Sequence, residues 1–401
     1  MRLKRALQNL GEKPKMLVAA RSGTDIATME VRPSLRYRYA WLAERLGVFL
    51  RQGLSRKHLW DIDPASRGVD ITRLPEFQEA DIIHLHWVNQ GFLSLRGLRK
   101  IFRSGKPVVW TMHDMWPFTG LCHNAVSCRR FEEQCGQCEL LCRRADGDLS
   151  RRVWLRKQAL YSIPCRKAFV ACSKWLAEEA RKSGLLAEQL VLDIPNPIDT
   201  TLFAVRNQAE ARRRLGLPAE KKLILFSAFN VNAPIKGLDF LREACCQLVA
   251  DDAAWAERVA VVCVGKGADD VASTMPLEVC SMGYVNDPKQ MAALYNAVDL
   301  FCIPSLQENL PNTIMEAKAS GVPVVGFSVG GIPQMIRHRL DGYLAKPQDA
   351  ADLASGIRWA LTEADATALK ELNRAEAVSQ YSEQRVAEQY LKLYQRLLDN
   401  D

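Results

Sequence analysis

The sequence predicts two α/β domains built on parallel sheets, and three observations carry that expectation. The chain has 401 residues, too many for one ordinary core and enough for two domains of roughly 150–200 residues each. Short β-branched or apolar runs alternate with amphipathic helical patterns along nearly the whole length, as strands and covering helices do in a parallel sheet. Midway, Ile194-Pro195-Asn196-Pro197-Ile198-Asp199 sets two prolines within three residues. Such a segment suits neither helix nor central strand, so it reads as a hinge.

Taken in order, the first half opens on a helix over Leu3–Leu10. Strands follow at Lys15–Ala20, Asp81–His86, Pro107–His113, Ala168–Cys172 and Leu190–Ile194, with amphipathic segments such as Ser94–Phe102 and Lys174–Lys182 between them. The second half expects strands at Lys222–Ser227, Arg258–Val264, Asp299–Ile303 and Val322–Phe327. Its helices fall near Gly237–Val249, Pro288–Asn296 and Pro311–Ser320, and a last helix spans Ser382–Leu398. This divides the chain into residues 1–195, 196–380 and a C-terminal helical segment 381–401 expected to pack on the first domain.

Composition narrows the class. The chain is 48% hydrophobic and 25% charged, with no apolar run near the ~20 residues that a spanning helix requires. Met1-Arg2-Leu3-Lys4-Arg5 leads into an amphipathic pattern, not the apolar core of a secretory signal. A cytoplasmic protein is expected, so the 12 cysteines read as thiols or metal ligands and not as a disulfide framework. Net charge is +8, but residues 1–193 carry 33 Lys and Arg against 20 Asp and Glu (+13), leaving 21 against 26 (−5) for the remainder. No aromatic-interleaved basic motif accompanies the excess, which argues against a nucleic-acid partner. A basic face toward an anionic membrane, peripheral at its inner side, or toward a phosphorylated lipid fits; so does a bias that only aids solubility.

Ligands of doubly wound sheets sit beyond the carboxyl ends of strands, and the informative residues do follow strands. After the Asp299–Ile303 strand comes Pro304-Ser305-Leu306-Gln307-Glu308-Asn309-Leu310-Pro311, then a helix that Gly321 ends before Val322-Pro323-Val324-Val325. Proline suits the first turn of that helix, whose free amides and positive dipole end form a site for a pyrophosphate. Glu308 lies in the loop and Glu316 in the helix, placed to meet a ligand's sugar and ribose. Lys236-Gly237 follows the preceding strand series and opens a helix. Val264-Gly265-Lys266-Gly267, Gly283-Tyr284-Val285 and Gly330-Gly331-Ile332-Pro333 complete the set.

The Glu-x7-Glu pattern with its Pro-Val-Val strand resembles the family 4 (group 1) retaining glycosyltransferases. The resemblance implies the GT-B fold, two Rossmann-like doubly wound domains facing an interdomain cleft. It gives Glu308 the donor hexose, Asn309 and Leu310 the sugar and phosphate through their amides, and Glu316 the ribose. Lys236 resembles the lysine that neutralises the donor diphosphate, Gly265 the glycine turn, and Val285 the segment along the nucleotide base. No Asp-x-Asp follows a strand, so catalysis without a metal cofactor is expected, with preorganised groups stabilising the departing nucleotide. Many relatives carry an arginine several residues before the lysine, and Phe229–Ile235 contains none.

In the first half, Trp110-Thr111-Met112-His113-Asp114 ends a strand, and its His113 resembles the histidine touching the donor sugar, with Asp114 as orienting partner. His84 and His86 share one strand face and read as packed residues. Cys122, Cys128, Cys135 and Cys138 are spaced x5, x6 and x2, a spacing that allows a tetrahedral structural zinc. Disulfides and free thiols are the alternatives, and Cys142 and His123 are spare ligands. Residues 114–138 resemble an insertion of the exopolysaccharide and colanic-acid type subset, and the Cys-rich region is set at 116–145. Relatives begin with a strand and a Gly-Gly loop that are missing before Leu3.

The function implied is retaining transfer of a hexosyl unit from a nucleoside diphosphate sugar to a glycan or polyprenyl-linked acceptor in cell-surface polysaccharide synthesis. Closure about Pro195–Asp199 would exclude water. A sugar-nucleotide 2-epimerase and a shortened, non-catalytic sugar-nucleotide-binding or scaffold protein are the rival readings.

Overall fold

The computed structural model describes residues 1–19, 28–30 and 34–399. Ala20 of the first expected strand, and residues 400–401 of the C-terminal segment, lie outside the described residues. The chain groups into two units, one of Leu3–Ile194 with the segment from Ala387 onward, the other of Pro195–Val386 together with Arg2.

In the first unit, β1 (Met16–Val18) pairs in parallel with β2 (Thr28–Glu30). A four-stranded sheet follows with β3 (Ile83–Leu85), β4 (Val108–Met112), β5 (Lys167–Ala171) and β6 (Val191–Asp193) side by side in that order, all parallel. Every residue of β4 is buried, which explains why it reads as a continuous apolar run and not an alternating one. Trp110 stacks on Phe169 of β5, and Trp116, Phe118, Tyr161 and Phe131 join them in one aromatic core. Ser94 and Ser173 cap the next helices by accepting from Gly97 N–H and Leu176 N–H.

The second unit holds β7 (Lys222–Asn230), β8 (Val259–Lys266), β9 (Glu278–Ser281), β10 (Leu300–Ile303), β11 (Val324–Phe327) and β12 (Gly342–Ala345). They form one parallel sheet in the order β12-β11-β10-β7-β8-β9. Numbered from β7, this is the 3-2-1-4-5-6 order of a doubly wound dinucleotide-binding sheet, whose direction of growth reverses between β7 and β10. The crevice at that reversal is where such sheets take ligands.

Departures from expectation have local reasons. β2, β9 and β12 are not among the expected strands. Each has only three or four residues, and β9 and β12 are edges of the sheet with polar or glycine content. The 34–51 helix is likewise unexpected, because its apolar residues lie on an outer face. The Pro195–Asp199 segment is anchored: Ile198 is fully buried, and its N–H donates to the Tyr381 carbonyl at 2.8 Å.

Candidate active site

In the second unit the loops after β7, β8, β10 and β11 meet at the carboxyl edge. Gly237 has φ +72°, and a Cβ there would lie 1.9 Å from the Pro304 carbonyl oxygen. Leu306 N–H donates to the Ile235 carbonyl at 2.9 Å, so the loop after β10 lies against the one after β7. Gly330 has φ +52°, and a Cβ would sit 1.8 Å from the Glu308 carbonyl oxygen, which accepts from Gly331 N–H at 3.1 Å. Only glycine permits these approaches.

Within that cradle Lys236 Nζ donates to Glu308 Oε1 at 2.6 Å. Their side chains remain 34% and 16% exposed, so the pair is partly desolvated yet reachable. It spans the reversal point of the sheet, one partner following β7 and the other β10. Asn309 is half-buried and Leu310 buried. Pro311 is the N-cap of the Asn312–Ala319 helix, with no side-chain cap and no acid in the first turn. Its opening amides therefore lack an anionic side chain of their own.

Glu316 lies on the buried face of that helix. Tyr295 donates its hydroxyl to Oε2 at 3.2 Å, and Arg2, which groups with the second unit, donates to Oε1 at 2.5 Å. Burial raises the Glu316 pKa above its ordinary value, and the arginine and the hydroxyl oppose that shift. Gly265 is buried at φ +143°, and Val285 is half-buried. Between two glycines, Lys266 ends β8 with its ammonium 4.5 Å from the centre of the Phe229 ring and 5.8 Å from that of Tyr284. It forms no ion pair among the described residues. Phe229 and Tyr284 meet edge to face and are themselves exposed.

The first unit's carboxyl edge differs in kind. His84 and His86 stack at 4.3 Å, and His86 Nδ1 meets His113 Nε2 at 3.1 Å. His113 Nδ1 faces the Cys172 sulfur at 3.5 Å. His84 is held by the Tyr394 hydroxyl and by Thr111 Oγ1, each at 2.7 Å. Desolvation lowers all three imidazole pKa values, His84 to about 3, so the stack is neutral near pH 7. His113 reaches solvent, but the groups crowding its flanks carry that shift, and Asp114 opposes it. The Asp114 carboxylate engages His123 Nδ1 at 2.7 Å, Trp87 Nε1 at 3.0 Å and Trp116 N–H at 2.9 Å.

All twelve cysteines are free thiols. Cys122, Cys128, Cys135 and Cys138 share a neighbourhood: burial pushes the Cys122 thiol up to about 12 and Cys135 to about 11, with the other three thiols adding to the shift at Cys122 and with Cys128 and Cys138 adding to it at Cys135. Gly120 N–H points at the Cys135 sulfur at 3.2 Å. Among the described residues, however, no three His, Cys, Asp or Glu side chains are grouped to hold a metal ion. Residues that the motif reading missed are Lys266 as an unpaired cation, and Tyr295 and Arg2 as partners of Glu316. Lys266 was legible as the only cation of its glycine turn, but ring contacts between separate strands leave no sequence signal.

The chain is similar to known glycosyltransferases. The chain is 32% identical over 181 residues to a D-inositol 3-phosphate glycosyltransferase of Geodermatophilus obscurus, covering 42% of this chain and 40% of that protein. It is 32% identical over 137 residues to an N,N'-diacetylbacillosaminyl-diphospho-undecaprenol alpha-1,3-N-acetylgalactosaminyltransferase of Campylobacter jejuni, covering 33% and 36%. The chain thus spans about two fifths of the length of the curated relatives it matches. Among solved structures, a glycosyltransferase of Rickettsia africae superposes with TM-score 0.65 at 15% identity, covering 100% and 94% of the two chains. Anabaena HepE in complex with UDP superposes with TM-score 0.59 at 20% identity, covering 79% of each. These likenesses show the fold, GT-B, with two Rossmann-like units. The group 1 glycosyl transferase model matches residues 220–363, and the Glycosyltransferase Family 4 model matches residues 2–202, half of the chain. On that match the chain belongs to glycosyltransferase family 4.

Proposed function

We propose that this protein transfers a hexosyl unit, with retention, from a nucleoside diphosphate sugar to a glycan or polyprenyl-linked acceptor in cell-surface polysaccharide synthesis. The observation that carries the reading is the Lys236–Glu308 pair across the reversal point of the second sheet. A diphosphate arriving there exchanges with Glu308 for the ammonium and gains the amides at the start of the Asn312–Ala319 helix. Glu308, released, accepts from the donor's hydroxyls, and the Asn309 and Leu310 amides hold sugar and phosphate. Lys266 supplies a second positive charge, which matters because Phe229–Ile235 contains no arginine. Val285 and the turn at Gly265 lie along the nucleoside. Ribose binding by Glu316 requires it to give up its Arg2 contact.

In the reaction the bond from the anomeric carbon to the phosphate oxygen breaks while the acceptor oxygen bonds to the same face. The acceptor proton passes to the leaving phosphate. The family resemblance gives His113 the reacting sugar; it would act as a neutral donor or acceptor, with His86 setting its tautomer and Asp114 supporting the loop beyond it. Charge on the departing nucleotide is met by Lys236, Lys266 and the amides, so turnover is expected to resist chelators. We also propose a structural zinc for the cysteine-rich insertion, whose thiols would have to close up around it, since among the described residues no three such side chains are grouped; one equivalent of zinc in the purified protein would support this and its absence would refute it.

No helix among the described residues is long and apolar enough to cross a membrane; we assign the protein to the cytoplasm, peripheral at the inner membrane face. The test is a panel of sugar nucleotides incubated with lipid-linked and free glycan acceptors, followed by product analysis. Transfer that Lys236→Ala leaves intact defeats the assignment. Release of an altered free nucleotide sugar without acceptor would identify an epimerase instead.

A further inference from the structure

The helix Ser34–Arg51 of the first unit is inverted relative to an ordinary surface helix. Its inward face is polar as well as apolar. Glu44 is fully buried and accepts from Ser66 N–H at 3.0 Å, Ser66 Oγ at 2.6 Å and Arg67 N–H at 3.0 Å. Arg45 donates to Asp63 Oδ2 and to the Leu59 carbonyl, both at 2.7 Å. Ala40 and Val48 complete that face. The outward face carries Leu35, Tyr39, Leu42, Leu46 and Leu50, which are 71, 68, 58, 56 and 57% exposed. Steps of four, three, four and four put all five on one stripe. Leu54 and Trp60, also exposed, extend it past the helix end.

A contiguous exposed stripe of this size marks an interaction surface, and its charge identifies the partner. Residues 34–60 hold six Lys and Arg (Arg36, Arg38, Arg45, Arg51, Arg56 and Lys57) and a single acid, the buried Glu44. Apart from the buried Arg45, these cations are exposed and form no ion pair among the described residues. A second copy meeting the same stripe across a two-fold axis would bring one basic rim against another, which disfavours self-association. We propose that this face docks on an anionic bilayer, with the leucines and Tyr39 at the headgroup–acyl boundary and the arginines and Lys57 against lipid phosphates. The inference deepens the reading of a lipid-linked acceptor, but its test does not use transfer.

The experiment is co-sedimentation of the full chain with vesicles of phosphatidylcholine alone or mixed with phosphatidylglycerol, alongside light scattering. Binding is expected to the anionic vesicles, reduced by salt and weaker on the neutral ones. Leu42→Asp/Leu46→Asp should abolish it with an unchanged melting temperature, because both side chains already face solvent. Arg36→Ala and Arg38→Ala should each weaken it about fivefold, the equivalent of ~1 kcal/mol per charge. Wild-type chain that ignores anionic vesicles, a double variant that binds them normally, or a dimer that the double variant disperses would each overturn the proposal. Hexosyl transfer in solution from the sugar nucleotide to a water-soluble acceptor is measured separately from vesicle binding, so the two readings fail separately.

Discussion

The carboxyl edges of the two sheets share a geometry and oppose each other in chemistry. Beyond β3 and β4, three stacked imidazoles are kept neutral by desolvation, with hydroxyls satisfying His84 on both nitrogens, and the Asp114 carboxylate is already engaged by His123 and Trp87. Beyond β7, β8 and β10 stand two lysines, one carboxylate partner and glycines that admit no side chain. A parallel sheet offers the same platform in both places. What differs is whether the loops leave charges half-exposed, where an anionic ligand can take over a partner, or crowd neutral rings against one another and against hydroxyls. Exchangeable charge suits a phosphate; a neutral stack suits holding one ring in place.

Breaking the charged edge should cost most. Lys236→Ala is expected to lower donor turnover by about 10²–10³-fold, as loss of a preorganised charge opposite a leaving group does; initial rates at saturating donor measure it. Gly330→Ala tests the cradle, not the charge. Its methyl would lie 1.8 Å from the Glu308 carbonyl oxygen at a positive φ, so the Glu308 loop must move. Strain of this kind is of order 1–3 kcal/mol, and turnover should fall roughly tenfold or more with a lower melting temperature. A variant with wild-type kinetics would show that Glu308 needs no such support. Lys266→Ala should weaken binding of the nucleoside diphosphate of whichever donor the panel identifies by about tenfold while leaving the matching nucleoside's affinity unchanged, read by calorimetry. Equal losses for both ligands would move Lys266 from the phosphates to the base.

Much of this edge could be read from residues alone, because turn chemistry and strand ends are local. Gly237, Gly330 and Pro311 announce their backbone roles by type, and Lys236 and Glu308 follow strands whose apolar runs are unambiguous. What stayed hidden depends on neighbours far along the chain. Tyr295 and Arg2 reach Glu316 across 21 and 314 positions, and Tyr394 reaches His84 across 310. Edge strands such as Gly342–Ala345 were hidden for another reason: four residues opening on a glycine make too short a run to stand out, although three of them are buried. The 34–51 helix escaped because its periodic apolar face points to solvent, so the pattern indicates an amphipathic helix without saying which side is packed.

The neutral edge yields the smallest and most diagnostic effect, a pH dependence of stability. His84 has an ordinary pKa near 6.5 when unfolded and about 3 when folded, chiefly through burial, with the neighbouring His113 adding to the shift. Between those values the unfolded chain binds the proton and the folded chain does not, so stability rises with pH across that window. The contribution is fully present above about pH 6.5 and is lost as pH falls toward about 3. His86 and His113 shift the same way, by burial first, and add to the slope. Melting temperature should therefore decline through the mildly acidic range, and His84→Gln, which keeps a donor and an acceptor but cannot titrate, should flatten part of that decline. The Tyr394 and Thr111 hydroxyls, the Tyr390 ring and the two other imidazoles are the groups facing His84. None is a carboxylate that could stabilise an imidazolium, which is why the neutral form persists. A His84→Gln protein that tracks the wild type at every pH would mean that acid sensitivity arises elsewhere, and would remove the argument that this imidazole stack is built to stay uncharged.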